Sequence, residues 1–376
     1  MDEKQSWLSS NGVFDKDSLI NDVAIQITNS KVTQVIGLAD LPENAKPKHI
    51  NGVISRGFVD LQVNGGGDVL LNATPDVASM KTIAKAHRQF GTTAILPTLI
   101  TDEVTVLEQM VEPAIEAMGS NGIFGVHIEG PHIALTRRGT HNPKYLRPFD
   151  EGTLNSVRKL RENDVPVMLT LAPDIVEDDH ITQLVDLGVV VSLGHTDATA
   201  QRTHQAVNAG ASCFTHLFNA MPPMYNREPG PVGAALNSES FAGLICDGYH
   251  VGFDMMMLAL RGHKTPDRVF IVSDSMPTVG GKPTFDLYGN PVNLIDGRLI
   301  NYEGTFAGAH ITQATGVERL VHVYDQSLEQ ALKMAISIPA KLMDSDHLAS
   351  VENAGLNDLI VLDDAKFDGF LGNKLT

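Results

Sequence analysis

The stretch GVVVSLGHTDATAQRTHQAVNAGASCFTHLFNA, residues 188–220, decides the fold. It opens on an apolar run, Val189–His195, passes through a helix-length segment, Thr199–Ala209, and closes on a second apolar run, Ser212–Phe218. Neither run alternates strictly, which is the pattern of strands covered on both faces. Strand, helix and strand in about 30 residues make a parallel βαβ unit. Working outward, the alternation repeats in kind although not in sequence. Further apolar runs lie at Gly57–Val63, Thr93–Pro97, Ile123–Glu129, Val165–Ala172, Gly243–Asp247 and Arg268–Asp274. Helices are predicted between them at Pro75–Phe90, Asp102–Met118, Asp150–Glu162 and Glu177–Leu187. In the first of these Val77, Met80, Ile83, Ala84, His87 and Phe90 recur at helical spacing. Eight such runs in about 220 residues favour a closed (β/α)8 barrel over an open sheet.

The two ends read differently. Asp22–Thr28 and Lys31–Ile36 are short strands split by Asn29-Ser30, and Asp358–Leu362 is another. The expected fold is α/β: a TIM-like barrel over residues 55–342, with a small β-sandwich built from residues 1–54 and 343–376. Thr278–Thr305, rich in Gly, Pro and Asn, reads as a hairpin excursion after the eighth strand.

Bulk properties narrow the function. The 376 residues are 43% hydrophobic and 19% charged, with a net charge of −17. That balance disfavours a nucleic-acid binder, which needs a broad basic surface, but leaves room for a small phosphate ligand held by a few local groups. Cys213 and Cys246 sit in apolar runs and read as inert core thiols. No run of about 18 apolar residues suggests a membrane span. The N-terminus, MDEKQSWLSS, has no basic start followed by an apolar core, so a cytoplasmic location is expected.

In a barrel the C-terminal ends of the strands converge on the active site. Here those ends carry Gln62 and Asn64, Glu129, His195, His216, Asp247 and His250, and Asp274. Glu129, His195 and His216 form a ligand set for one divalent ion with an open position, the pattern of catalytic zinc sites. Asp274 is the candidate base, taking a proton from water and returning it to the leaving amine. Singly, each residue has a plainer reading as a satisfied histidine or a helix cap; four on four converging strands make the metal site the better one. His49, His180, His204, His263, His322 and His347 read as solvated.

Together these residues resemble the N-acetylglucosamine-6-phosphate deacetylases of the amidohydrolase superfamily. The similar segments are residues 57–65 (GFVDLQVNG), 127–131 (HIEGP), 139–143 (GTHNP), 194–196 (GHT), 215–222 (THLFNAMP), 227–230 (REPG) and 247–250 (DGYH). The resemblance runs over nearly the whole chain. It implies deacetylation of N-acetyl-D-glucosamine 6-phosphate to glucosamine 6-phosphate and acetate, a step of amino-sugar catabolism. Glu129, His195 and His216 would hold the metal, with Asp274 as acid/base and His141 polarising the acetyl carbonyl. Thr140, Asn219 and Ala220 would touch the substrate, and Phe306, Ala307 and Gly308 would line its sugar side. Arg227 and His250 would hold the phosphate, in a homodimer that completes this site across its interface. A guanidinium suits a phosphate dianion because it offers paired donors.

Where many superfamily members carry His-x-His after the first strand, this chain has Gln62-Val63-Asn64. One metal is therefore expected, with Gln62 and Asn64 as hydrogen-bonding residues behind it. Zinc comes first, and iron, cobalt and manganese also suit two imidazoles and a carboxylate. His132 and His310 stay unassigned. Residues 133–139 are a candidate lid. An N-acetylgalactosamine 6-phosphate deacetylase or another amidohydrolase remains an alternative. An inactive sugar-phosphate binder is disfavoured, since all three candidate ligands and Asp274 are present.

Overall fold

The structure is a computed structural model and describes residues 5–375. Residues 1–4 and 376 of the two terminal spans lie outside the described residues.

Eight parallel strands form one sheet in sequence order: β1 (Phe58–Val63), β2 (Thr92–Ile100), β3 (Val126–Glu129), β4 (Val167–Leu171), β5 (Val190–Leu193), β6 (Cys213–Phe214), β7 (Phe241–Ile245) and β8 (Val269–Val272). Closure comes just past the last strand. Val63 bridges Ser275 in parallel, and the Asn64 and Gly65 N–H groups donate to the Ser275 carbonyl at 2.9 and 3.0 Å. Helices α1 (Val77–Arg88), α2 (Val104–Ala117), α3 (Glu151–Glu162), α4 (Asp178–Asp186), α5 (Ala200–Asn208), α6 (Gly230–Leu236) and α7 (Phe253–Gly262) each link one strand to the next, and α8 (Gln313–His322) follows β8. Every residue of β1, β2, β3, β4, β7 and β8 is buried, which accounts for sequences that are mostly apolar without strict alternation. The helices start where side-chain caps replace missing backbone partners: Asp76, Asp150, Thr199 and Thr312 accept from Ser79, Thr153, Arg202 and Thr315 N–H.

Both chain ends contribute to a separate seven-stranded sheet. The strand Leu359–Asp363 pairs antiparallel with Lys48–Arg56, which runs parallel to Gln5–Asp15. Leu8, Ile25, Ile54, Leu359 and Val361 share a core of their own there. Asn29 and Ser30, at φ 51° and 63°, form the tight turn that their sequence announces. Four strands of this sheet, Gln5–Asp15, Ser18–Ile20, Lys48–Arg56 and Lys366–Phe370, escaped the sequence reading. Gln5–Asp15 interleaves Ser6, Ser9, Ser10 and Asn11 with its apolar residues, and its partners lie up to about 40 residues away, so no local period marks it.

The excursion after β8 is a three-stranded antiparallel sheet, Thr284–Leu287, Asn290–Ile295 and Arg298–Ile300. Its turns are Tyr288-Gly289 (φ 53° and 81°) and Asp296-Gly297 (φ 49° and 79°), two-residue turns with both residues left-handed.

Cys213 and Cys246 are buried and unpaired, and burial pushes both thiols up to about 12. His87 on α1 is fully buried; its Nε2 lies 3.0 Å from the Gly65 carbonyl and 3.0 Å from Ser275 Oγ, and its Nδ1 has no partner. Burial lowers its pKa from 6.5 to about 4. Between these values the unfolded chain binds more protons than the folded one, so stability rises with pH across that window and is lost as pH falls through it. From pH 7 to pH 5 this single group is expected to cost about 2 kcal/mol. Urea unfolding of wild type and His87→Gln at both pH values checks this: the variant should lose less stability on acidification by about that amount.

Candidate active site at the mouth of the barrel

The polar residues predicted at the strand ends meet at one end of the barrel because parallel strands end together. Several have left-handed backbones. His195, His216, Phe218, Ala220 and Asp274 lie at φ 50°, 28°, 79°, 52° and 47°. Such conformations cost of order 1–3 kcal/mol each for residues with a β-carbon and persist where the surroundings fix them. They also explain why β6 is only two residues long: the chain leaves extended geometry at His216, where the Asn219 N–H closes onto the His216 carbonyl at 2.9 Å.

At the centre Glu129 Oε1, His195 Nε2 and His216 Nε2 form a tight triangle, each Nε2 lying 3.1 Å from the oxygen and the two nitrogens 3.0 Å apart. All three residues are buried. His195 Nδ1 faces the Arg137 carbonyl at 2.8 Å, which can only accept. The proton of a neutral His195 therefore sits on Nδ1, leaving the Nε2 lone pair aimed at the triangle. Lone pairs from two imidazoles and a carboxylate facing each other at this range fit a divalent cation. His141 belongs to the same cluster: its ring centroid is 4.5 Å from that of His195, and ligand atoms of Glu129, His141 and His195 lie within 4.8 Å of one another. Its Nδ1 is 2.6 Å from Thr101 Oγ1.

Gln62 and Asn64 stand behind this cluster. The Gln62 amide donates to Glu129 Oε1 at 3.0 Å and to Asp274 Oδ1 at 3.1 Å, and the Asn64 amide donates to Asp274 Oδ1 at 2.7 Å. Burial and the nearby Glu129 charge raise the Asp274 carboxyl to about 6. Burial works on Glu129 in the same direction, but hydrogen bonds from His195 and His216 prevail and hold it well below the usual carboxylate range. Two adjacent carboxyl groups thus separate, one held ionised and one able to take or give a proton near neutrality. Burial, reinforced by His195, lowers His141 to about 3, so its ring is neutral.

A cavity of about 310 Å³ opens onto these groups. Asn64, Glu129, Thr140, His141, His195, His216, Asn219, Ala220, His250, Asp274, Phe306 and Gly308 all line it. Asp247 fixes His250: its Oδ2 lies 2.6 Å from His250 Nδ1, while its Oδ1 accepts the Tyr249 and His250 N–H groups at 2.8 and 2.9 Å. His250 therefore reaches the cavity of its own chain. Arg227 does not. It is exposed on the loop before α6 and is absent from the cavity wall. Ala307 also departs from expectation. Phe306 and Gly308 line the cavity, whereas Ala307 is buried in a cluster with Met276, Leu287 and Leu299.

His132 is held by the Arg147 carbonyl at 3.1 Å and Thr153 Oγ1 at 3.0 Å, and His310 by Thr278 Oγ1 at 2.9 Å; neither lines the cavity. His263, expected to be solvated, is instead buried at the end of α7, where its Nδ1 pairs with the Thr265 backbone. Residues 133–139 pack over the site. Ala134 N–H donates to the His195 carbonyl at 2.9 Å, Arg137 pairs with Asp197 at 2.8 Å, and Arg138 pairs with Glu303 through both carboxylate oxygens at 3.0 Å. Thr136 and Arg137 of the expected lid segment line the cavity, while sequence reasoning missed Thr101, which orients His141, and the wall residues Ile100, Ile245, Met276 and Thr305. Thr101 directly follows β2 and Met276 lies two residues beyond Asp274, so the strand-end rule that located Asp274 reaches them too.

A (β/α)8 barrel with buried imidazoles and carboxylates at its strand ends is the architecture of an amidohydrolase. No family model matches the chain. It is 31% identical over 360 residues to the N-acetylglucosamine-6-phosphate deacetylase of Haemophilus influenzae, covering 93% of each, and 36% identical over 318 residues to the N-acetylgalactosamine-6-phosphate deacetylase of Shewanella sp., covering 84% of this chain and 80% of that one. The chain belongs to the N-acetylglucosamine-6-phosphate deacetylase family. The crystal structure of the Pasteurella multocida N-acetylglucosamine-6-phosphate deacetylase superposes with a TM-score of 0.88 at 30% identity over 98% of both chains. That of a point mutant of the Mycobacterium smegmatis enzyme in complex with N-acetyl-D-glucosamine-6-phosphate superposes with a TM-score of 0.87 at 27% identity, over 98% of this chain and 99% of that one.

Proposed function

We propose that the protein hydrolyses the acetamide of N-acetyl-D-glucosamine 6-phosphate, releasing acetate and D-glucosamine 6-phosphate. The observation that carries this reading is the meeting, in one cavity, of the Glu129–His195–His216 triangle, the Asp274 carboxyl and the Asp247-anchored His250. Glu129, His195 and His216 are the residues that would hold one divalent ion, zinc by preference. When bound, the ion lowers the pKa of water and offsets negative charge on a carbonyl oxygen. Asp274 takes the proton from the attacking water and returns it to the departing nitrogen, a role open to a carboxyl that titrates near neutrality. Gln62 and Asn64 hold Asp274 in place through its Oδ1. Neutral His141, oriented by Thr101, donates to the acetyl oxygen as charge develops there. Thr140, Asn219, Ala220, Phe306 and Gly308 contact the sugar, and His250 holds the phosphate.

Arg227, exposed in its own chain, joins the phosphate site in a homodimer. Residues 55–342 are the catalytic domain, and the terminal spans 1–54 and 343–376 a supporting one. No described helix is long and apolar enough to cross a membrane, and we place the enzyme in the cytoplasm. The 36% identity to the Shewanella relative favours a second reading, N-acetylgalactosamine 6-phosphate as substrate. Parallel assays of the two epimers separate them: a kcat/KM for the glucosamine compound at least about tenfold the larger supports the first reading.

The phosphate assignment has its own test. A charge-assisted hydrogen bond contributes about 1.5–3 kcal/mol, so His250→Ala should lower kcat/KM for the phosphorylated substrate by about 10- to 150-fold, mostly through KM. Asp247→Ala should produce a smaller loss of the same kind. Turnover of unphosphorylated N-acetylglucosamine should hardly change in either variant. Equal losses on both substrates would remove His250 from the phosphate site.

A further inference from the structure

The cavity wall divides by chemistry. On the reading above, Asn219, Ala220, His250 and Phe306 face the sugar phosphate, while Glu129, His141 and Asp274 surround the carbonyl. A carbonyl carbon of an amide carries an oxygen, a nitrogen and an alkyl group. With the first two directed at the ligand cluster and the sugar, the alkyl group meets the wall that remains. The apolar residues of that wall are Ile100, Ile245 and Met276, and of these Ile100 and Met276 belong to one packed cluster. Ile100 adjoins Thr101, the residue that orients His141, and Met276 lies two residues beyond Asp274.

We propose that Ile100 and Met276 form an acyl pocket sized for a single methyl group, selecting N-acetyl substrates against longer N-acyl chains. The inference rests on the deacetylase reading and adds to it the residues that choose the acyl group. Both side chains are only 2% exposed and are fixed from several sides. The Asn72 side chain holds the Ile100 backbone at both polar groups: its Oδ1 accepts the Ile100 N–H at 3.1 Å and its Nδ2 donates to the Ile100 carbonyl at 2.9 Å. The Met276 N–H donates to the Ala309 carbonyl at 3.2 Å. Its thioether lies so close to Gly308 that a β-carbon there would stand 2.7 Å from Met276 Cγ and 2.8 Å from Cε. Behind both residues pack Leu70, Ala307 and the hairpin residues Leu287, Val292 and Leu299. The excursion after β8 therefore closes the back of this pocket. A rigid wall cannot yield to an added methylene without disturbing that core.

The test is a series of N-formyl, N-acetyl, N-propionyl and N-butyryl glucosamine 6-phosphates, assayed by release of free amine. Wild type should show kcat/KM falling by at least about tenfold from acetyl to propionyl, and further to butyryl. Met276→Ala and, separately, Ile100→Val should each raise the propionyl-to-acetyl ratio, the former by about tenfold or more. The ratio is insensitive to a general loss of folded enzyme, and Ile100→Val removes only one methyl group should the larger truncation fail to fold. A flat wild-type profile from acetyl to butyryl overturns the acyl pocket, as does an unchanged ratio in an active variant. Absence of turnover with every member of the series instead refutes the deacetylase reading on which the pocket rests.

Discussion

Asp274→Asn is expected to lower kcat by about 10²- to 10⁴-fold, towards the upper end because one group serves as both base and acid. Asparagine keeps the shape of the side chain and leaves a carbonyl oxygen for the donors on Gln62 and Asn64, which now bond Asp274 Oδ1 at 3.1 and 2.7 Å. It removes only the capacity to take a proton. Substrate contacts persist, so KM should change little and the loss should fall on kcat. Stability should hold or rise, because a buried carboxyl raised by its own burial and by Glu129 is a cost to the folded state. Steady-state kinetics and thermal unfolding on the same preparation decide it. An active Asp274→Asn enzyme, within about threefold of wild type, would remove Asp274 from the proton transfer.

Removal of the metal is the second large effect. Chelation should abolish activity and also lower the melting temperature, since an ion that binds only the folded state at a thousandfold excess over its Kd contributes about 4 kcal/mol. For a chain of this size that is a shift of at least about 5 °C. The triangle of Glu129, His195 and His216, with edges of 3.0–3.1 Å, is the reason to expect tight binding. Glu129→Gln should bind less than one tenth of the wild-type metal by elemental analysis and should lose most of the thermal response to added zinc. Full metal content and an unchanged thermal response in that variant would place the ion elsewhere, with His141 the nearest other donor.

Much of this arrangement is legible in the chain itself. Strands buried on both faces are mostly apolar without strict alternation, and their polar site residues stand at or just past the C-terminal end, so β1, β3, β5 and β6 announce Gln62, Glu129, His195 and His216 together. The hairpin turns are legible too, because only certain pairs such as Asn29-Ser30 accept left-handed backbones readily. What is not legible depends on distant partners. Gln5–Asp15 becomes a strand only because Lys48–Arg56 and Val23–Thr28 flank it. Ile100 and Met276 look like ordinary core residues in sequence and become wall residues only because the hairpin covers them from behind. Arg227 shows the limit from the other side: its motif is plain, yet its own chain leaves it exposed and outside the cavity.

The most direct test of the central claim is acetate release from N-acetyl-D-glucosamine 6-phosphate by the purified protein, measured before chelation, after chelation and after zinc is restored. The account predicts turnover that disappears with the metal and returns with it. Failure to release acetate with any added zinc, iron, cobalt or manganese would contradict it.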